Sequence, residues 1–146
     1  MRSPRRRRDR GGAPAAGPVV LSAVIAALLC GCGASQERID GASAAAASFA
    51  EAAQAGDGAA MCAVLARETK QELEHSERST CDEAVVEQRL PTTGPVLETD
   101  VHGRQALVKL RDDTLFLSRF STGWKVVAAG CTPRPGRPYQ CLVKGG

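Results

Sequence analysis

The stretch VLETDVHGRQALVKLRDDTLFLSRFSTGWKVVAAGC, residues 96–131, places apolar and polar side chains in four runs broken by short turns. Val96 to Val101, Arg104 to Leu110, Thr114 to Phe120 and Trp124 to Cys131 are rich in strand formers and have the period of half-buried strands. The breaks are His102-Gly103, Arg111-Asp112-Asp113 and Ser121-Thr122-Gly123. Connections this short join only antiparallel neighbours, so the four runs predict a meander sheet. Thr132 to Pro138 carries three prolines and cannot be an ordinary inner strand, and Tyr139 to Val143 is expected to add an edge strand.

Upstream of Pro95 the period is helical. Ala42 to Ala55 is alanine-rich with Phe49 as its large apolar residue, a strong helix former with a narrow core face. Gly56 stops it, and Asp57 is placed to cap a second helix. Ala60, Met61, Val64 and Leu65 share one face of that helix, which is expected to continue through Lys70 and Leu73 toward His75. Thr80-Cys81-Asp82-Glu83 has capping-box spacing for a third, short helix carrying Val85, Val86 and Leu90, ended by Pro91. Helices followed by antiparallel strands make the class α+β, with N-terminal helices packed on a curved antiparallel meander of four to five strands.

The first 31 residues read as an export signal. Four consecutive arginines, Arg5 to Arg8, with Arg10 precede an apolar stretch of eleven residues from Val19 to Leu29, followed by small residues. A helix needs roughly 20 apolar residues to span a bilayer, so this stretch is too short for a permanent anchor. Leu29-Cys30-Gly31-Cys32 resembles the lipobox of bacterial lipoproteins, which have an aliphatic residue three before the modified cysteine and a small one directly before it. The resemblance implies a diacylglycerol thioether on Cys32, palmitate-like acyl chains, and cleavage that leaves Cys32 as the first mature residue. Cys30 is the competing candidate, but Leu29 directly before it is bulky where the family has Gly, Ala or Ser, so Cys32 is preferred. The domain organisation expected is a removed signal over residues 1–31, a lipidated Cys32 with a polar tether through residue 41, and a single α+β domain over 42–146. Such a protein is exported and attached by lipid to the outer face of the cell membrane.

Removing residues 1–31 changes the charge. They hold six arginines and one aspartate out of 19 basic and 16 acidic side chains, leaving 13 and 15, a net of −2 in about 115 residues. A mildly acidic domain has no overall electrostatic footprint for nucleic acid. Six cysteines less Cys30 and Cys32 leave Cys62, Cys81, Cys131 and Cys141. An even number in an exported chain favours disulfides. Of the three connectivities, Cys62 with Cys81 and Cys131 with Cys141 is expected, because each pair is close in sequence and brackets a polar or proline-rich excursion. The four cysteines lack C-x-x-C spacing and only His75 and His102 accompany them, so no metal or cofactor is expected.

The helix pair around Gly56-Asp57, the paired Cys62 and Cys81, and the closing Gly123-Trp124-Lys125-Val126 strand with Gly130-Cys131 and Tyr139-Gln140-Cys141 resemble the nuclear transport factor 2-like group, among them small lipoproteins of high-GC bacteria. The resemblance implies a cone-shaped α+β fold whose concave sheet faces the helices, with a pocket at the open end. Phe49, Met61, Phe116, Phe120 and Trp124 are the candidate lining. That group includes both enzymes and binding modules, so fold alone does not settle function.

No catalytic constellation stands out. Glu98 and Asp100 lie at alternate positions of one strand, with Leu97 and Val101 reading as its core side, so the two acids are expected on an exposed face. His102 falls in a hairpin turn and His75 at the end of a polar helix. Asp112-Asp113 fits ordinary turn preference. Glu68, Glu72 and Glu74 with Lys70 form a solvated helix face. The leading expectation is a noncatalytic envelope domain that binds a protein, peptide or small apolar ligand. The alternative is a small isomerase- or dehydratase-like enzyme using Asp100 or His102.

Overall fold

A computed structural model describes residues 19–91 and 94–145, with side chains from Ser35 onward. The chain divides into two compact units, Met1–Ala34 and Ser35–Gly146. Of the export signal, residues 1–18 lie outside the described residues, and residues 19–34, Cys30 and Cys32 among them, are described in backbone only, as helix. The Ser35–Gly146 unit carries everything below.

Its elements confirm the α+β class. Helix α1 is Val19–Ala55, and α2 (Gly58–Val64), α3 (Arg67–Glu77) and α4 (Cys81–Glu87) follow. Strands β1 (Val96–His102), β2 (Gln105–Leu110), β3 (Thr114–Phe120), β4 (Gly123–Arg134) and β5 (Arg137–Lys144) then form one antiparallel sheet in the order β1-β2-β3-β4-β5. Each strand pairs with its sequence neighbour, as two- and three-residue turns require.

The core lies between one sheet face and the helices. Phe49, Leu65, Val85, Val108, Leu115, Leu117, Val126 and Val143 are each under 2 % exposed. Alanines Ala42, Ala46 and Ala50 let α1 lie close to the sheet. Ser43 of α1 shares a hydrogen bond of 2.8 Å with Thr99 of β1.

Four local details refine or correct the expectations. First, the part of the expected tether from Ser35 to Gly41 is helical. Ile39, Ala42, Ala46 and Phe49 recur at helical spacing; the last three are fully buried and Ile39 is half-buried, so the core-facing stripe of α1 reaches back to Ile39. Second, the long helix beginning after Asp57 is two helices. Leu65 and Ala66 are extended, with ψ of 147° and 150°. Leu65 forms a parallel bridge with Val126, and the Ala66 N–H donates to the Val126 carbonyl at 2.8 Å. Both residues are good helix formers, so the break comes from the sheet capturing the backbone.

Third, the capping box at Thr80 does not form. Thr80 occupies the N-cap position without a side-chain cap bond. Its hydroxyl and the backbone N–H groups of Asp82 and Glu83 hold the Asp82 carboxyl below the usual aspartate range. Glu74 of the preceding helix reaches across instead, accepting from the Cys81 N–H at 3.2 Å. The helix also stops at Glu87, short of Leu90. Fourth, the proline-rich segment belongs to the sheet. β4 runs to Arg134 and β5 starts at Arg137, so Pro135-Gly136 is a two-residue turn. β3 pairs with β4 no further than Ala128. Pro133 and Pro138 therefore lie where a two-stranded ribbon has a free edge, and their missing N–H groups interrupt no central ladder. The register slips between Thr132 and Arg134, at Pro133.

The helix punctuation around Gly56 and the cysteine pairing stand as expected. Asp57 caps α2, its Oδ1 accepting from the Ala60 N–H at 2.9 Å, and Gly56 ends α1 with φ of +66°. Cys62 pairs with Cys81 and Cys131 with Cys141, with Cα–Cα distances of 6.2 and 4.0 Å. The first bridge ties α2 to α4 and the second ties β4 to β5.

Candidate functional site

The break between α2 and α3 builds the most chemically varied groove of the unit. Because Val126 holds Leu65 and Ala66 in extended form, α3 starts beside the β3–β4 hairpin. Between them lies a cleft of about 370 Å³ bounded by Leu65, Arg67, Glu68 and Lys70 on one side and by Phe120, Thr122 and Lys125 on the other. Phe120 is 37 % exposed, one of the large apolar side chains left open to solvent. The Lys125 ammonium donates to the Ala63 carbonyl at 2.8 Å, at the end of α2. Arg67 lies 3.5 Å from Glu68, both well exposed. Three cations and one acid therefore surround an aromatic ring, a combination suited to an amphipathic group carrying negative charge.

Two further clefts differ in chemistry. One, of about 490 Å³, runs along α1 and the start of β1, with Glu51 on one wall and Arg111 and Asp112 on the other. The second, of about 510 Å³, is acidic: Asp57, Asp82, Glu83 and Glu87 line it around Val86. Among the described residues no group of three or more His, Cys, Asp or Glu side chains is arranged to hold a metal ion.

The residues expected to line one pocket are divided between places. Phe49, Met61 and Trp124 are buried in the core, at 0, 2 and 9 % exposure. Phe116 is on the other sheet face, half-buried, its ring meeting that of Tyr139 edge-on at 5.1 Å. Phe120 alone of the five borders the groove beside α3.

The acids of β1 face solvent. Glu98 and Asp100 are exposed, and the Glu98 carboxylate takes the Lys109 ammonium at 2.7 Å, holding that ammonium above its usual range. Leu97, read as core, is 66 % exposed, because the β1–β2 register slips between Val96 and Glu98 and turns it outward. His102 and His75 are exposed, as are Glu68, Glu72 and Glu74.

Asp113 is the residue whose role the sequence concealed. It is 7 % exposed and is no mere turn former. Its Oδ1 accepts from the Thr114 N–H at 2.6 Å and the Cys131 N–H at 3.0 Å, and its Oδ2 from the Gly130 N–H at 3.0 Å. Burial pushes its carboxyl up from the ordinary aspartate value, against the opposing pull of those three donors. The turn between β2 and β3 thereby clips the backbone of β4 at Gly130, whose φ of +65° marks a distorted strand. With both oxygens occupied by backbone donors, this carboxylate is structural. The Asp-Thr pair was the available local signal, since aspartate often accepts from nearby backbone N–H groups; its long-range partners had none.

No family model, curated protein or solved structure matches the chain. No helix among the described residues is long and apolar enough to cross a membrane.

Proposed function

We propose that the chain is an exported lipoprotein, held at the outer face of the cell membrane by a diacylated Cys32, and that its Ser35–Gly146 unit is a noncatalytic binding domain. The observation that carries export is the cysteine pairing. All four cysteines downstream of Cys32 stand in two disulfides, and such bonds persist in oxidising compartments. The anchor is supported by Leu29-Cys30-Gly31-Cys32 at the end of an eleven-residue apolar stretch. Two acyl chains hold a protein firmly, since each buried methylene contributes ~0.8 kcal/mol and a single chain is marginal. Helices preceding a single antiparallel sheet support kinship with the nuclear transport factor 2-like group.

A binding role is supported by what is exposed. The open rim groove combines Phe120 with three cations, whereas the buried carboxylate, Asp113, is saturated by backbone donors. An amphipathic group carrying negative charge, on an envelope protein, a peptide or a small ligand with an apolar part, is the class of partner such a surface suits.

Intact mass of the membrane-extracted protein tests the anchor and both bridges together. A mature chain starting at Cys32 with added diacylglycerol and two disulfides is the expected result. A Cys32→Ser variant that is still processed and still sediments with membranes refutes the anchor. For the binding role, native mass spectra of the extracted protein should show a bound species that is lost in Phe120→Ser; identical spectra for the two count against it.

A further inference from the structure

We infer that the end of the domain where the chain enters at Ser35 is a membrane-facing surface, and that Arg67, Lys70 and Lys125 around Phe120 engage the phosphates of anionic glycerophospholipids. This rests on the lipoprotein reading of Cys32. Three peptide units separate Cys32 from Ser35, so the lipid lies within ~10 Å of the entry point even when the chain is fully extended at ~3.3 Å per residue. So short a lead keeps the entering end near the bilayer, and its charge decides which side chains turn toward the lipid.

The topology identifies which side chains that end presents. α1 passes Trp124, at the start of β4, by Gly41, and reaches Val96 and Arg111 by Ala50 and Gln54. It therefore runs from the end that carries the β1–β2 and β3–β4 turns toward the end that carries Asp112. The β1–β2 and β3–β4 turns lie together because β1 and β3 run the same way in the meander. Arg104, in the first turn, donates from Nε and Nη2 to the Arg119 carbonyl at 3.0 and 2.7 Å. The groove of Arg67, Lys70, Lys125 and Phe120 opens beside the second.

Charge is distributed accordingly. Arg38, Arg67, Lys70, Arg104, Arg119 and Lys125 belong to the entering end, against Glu37, Asp40 and Glu68. The acidic cleft of Asp57, Asp82, Glu83 and Glu87 begins where α1 finishes, at the far end. The far end also carries Arg111 in the β2–β3 turn and Arg134 and Arg137 flanking the β4–β5 turn, so the contrast rests on the cationic surplus of the entering end rather than on a uniformly negative far end. Anionic lipid attracts that surplus. Phe120, exposed among cations, matches the interface between headgroups and acyl chains, where long basic side chains keep their charges in water.

Site-directed spin labels on the full, lipidated chain test this. Thr122→Cys and Pro135→Cys place labels in exposed turns at opposite ends of the sheet. Each protein is reconstituted into phosphatidylcholine vesicles with and without phosphatidylglycerol, and collision with a water-soluble nickel chelate is measured. The expected result is severalfold lower accessibility at Thr122 than at Pro135 with phosphatidylglycerol. That contrast should shrink without the anionic lipid and in an Arg67→Glu/Lys70→Glu background. Equal accessibility at the two positions, in protein that floats with vesicles and carries the lipid mass, overturns the orientation and leaves the anchor standing. Protection of Thr122 that ignores both lipid charge and the substitutions overturns the phosphate contacts, and protection without vesicles assigns the surface to a second copy of the chain instead. Protein lacking the lipid mass and remaining in solution sinks both readings.

Discussion

Replacing Asp113 by alanine removes the acceptor for two buried backbone donors, the N–H groups of Gly130 and Cys131, each 3.0 Å from a carboxylate oxygen. A buried donor left without a partner costs about 1–3 kcal/mol, so the pair should cost ~2–6 kcal/mol, with water entry into the vacated space favouring the lower figure. Against a typical domain stability of roughly 5–15 kcal/mol this is a large fraction. With a mid-range urea dependence of ~2 kcal/mol per molar, the unfolding midpoint should fall by roughly 1–3 M. Equilibrium urea unfolding with the disulfides oxidised, followed by Trp124 fluorescence, reads that shift. Asp113→Asn is the milder companion: one amide oxygen keeps the Cys131 bond, while the amide nitrogen meets the Gly130 donor. A loss below ~0.5 kcal/mol in the alanine variant would refute the clip, because two buried donors cannot lose a shared acceptor so cheaply.

The same residue gives a pH dependence. Burial raises the folded-state pKa of Asp113 above 3.8, so the folded protein binds this proton more tightly than the unfolded chain does. The stability from that difference is fully present below about pH 3.8 and is lost as pH rises through the folded value. The stability of the wild type relative to Asp113→Asn should therefore be greatest at low pH and decline toward neutrality. A difference that grows with pH contradicts the assignment.

Gly130→Ala should lower stability by about 1–3 kcal/mol in thermal unfolding, since φ is +65° and a Cβ would stand 2.9 Å from Leu90 and 3.0 Å from Leu142. Gly58→Ala should be worse, because the new Cβ meets the Asp82 backbone, which the Cys62–Cys81 bridge holds in place; failure to accumulate as folded protein, or a markedly lowered melting temperature, is the expected readout. Replacing Cys131 and Cys141 by alanine together should cost roughly 2–4 kcal/mol through restored freedom of the unfolded chain, and calorimetry of the double variant checks it. Leu97→Ser, by contrast, should change stability by less than ~0.5 kcal/mol, as for an ordinary surface position, and a large loss there would return Leu97 to the core.

Period and punctuation alone determined the class of fold: apolar alternation broken by two- and three-residue turns leaves antiparallel neighbours as the only pairing from Val96 onward. The disulfide partners were legible for a related reason, as each pair is close enough in sequence for local structure to bring it together. Gly56 and Asp57 ended one helix and capped the next by rules that operate within four residues. What the sequence could not show was settled by partners far away along the chain. Leu65 and Ala66 have every local reason to be helical, yet Val126 draws them out, and the groove beside Phe120 exists because of that break. Asp113 looks like a turn residue until β4 supplies two N–H groups 17 and 18 residues on. Phe116 and Phe120 share a strand with Leu115 and Leu117, but registry and strand ends send one to the face opposite the helices and the other to a rim. Local preferences amount to tenths of a kcal/mol per residue, whereas an unpaired buried donor costs about 1–3 kcal/mol. Where the two conflict, the tertiary partner decides the backbone, and the candidate site lies where it did.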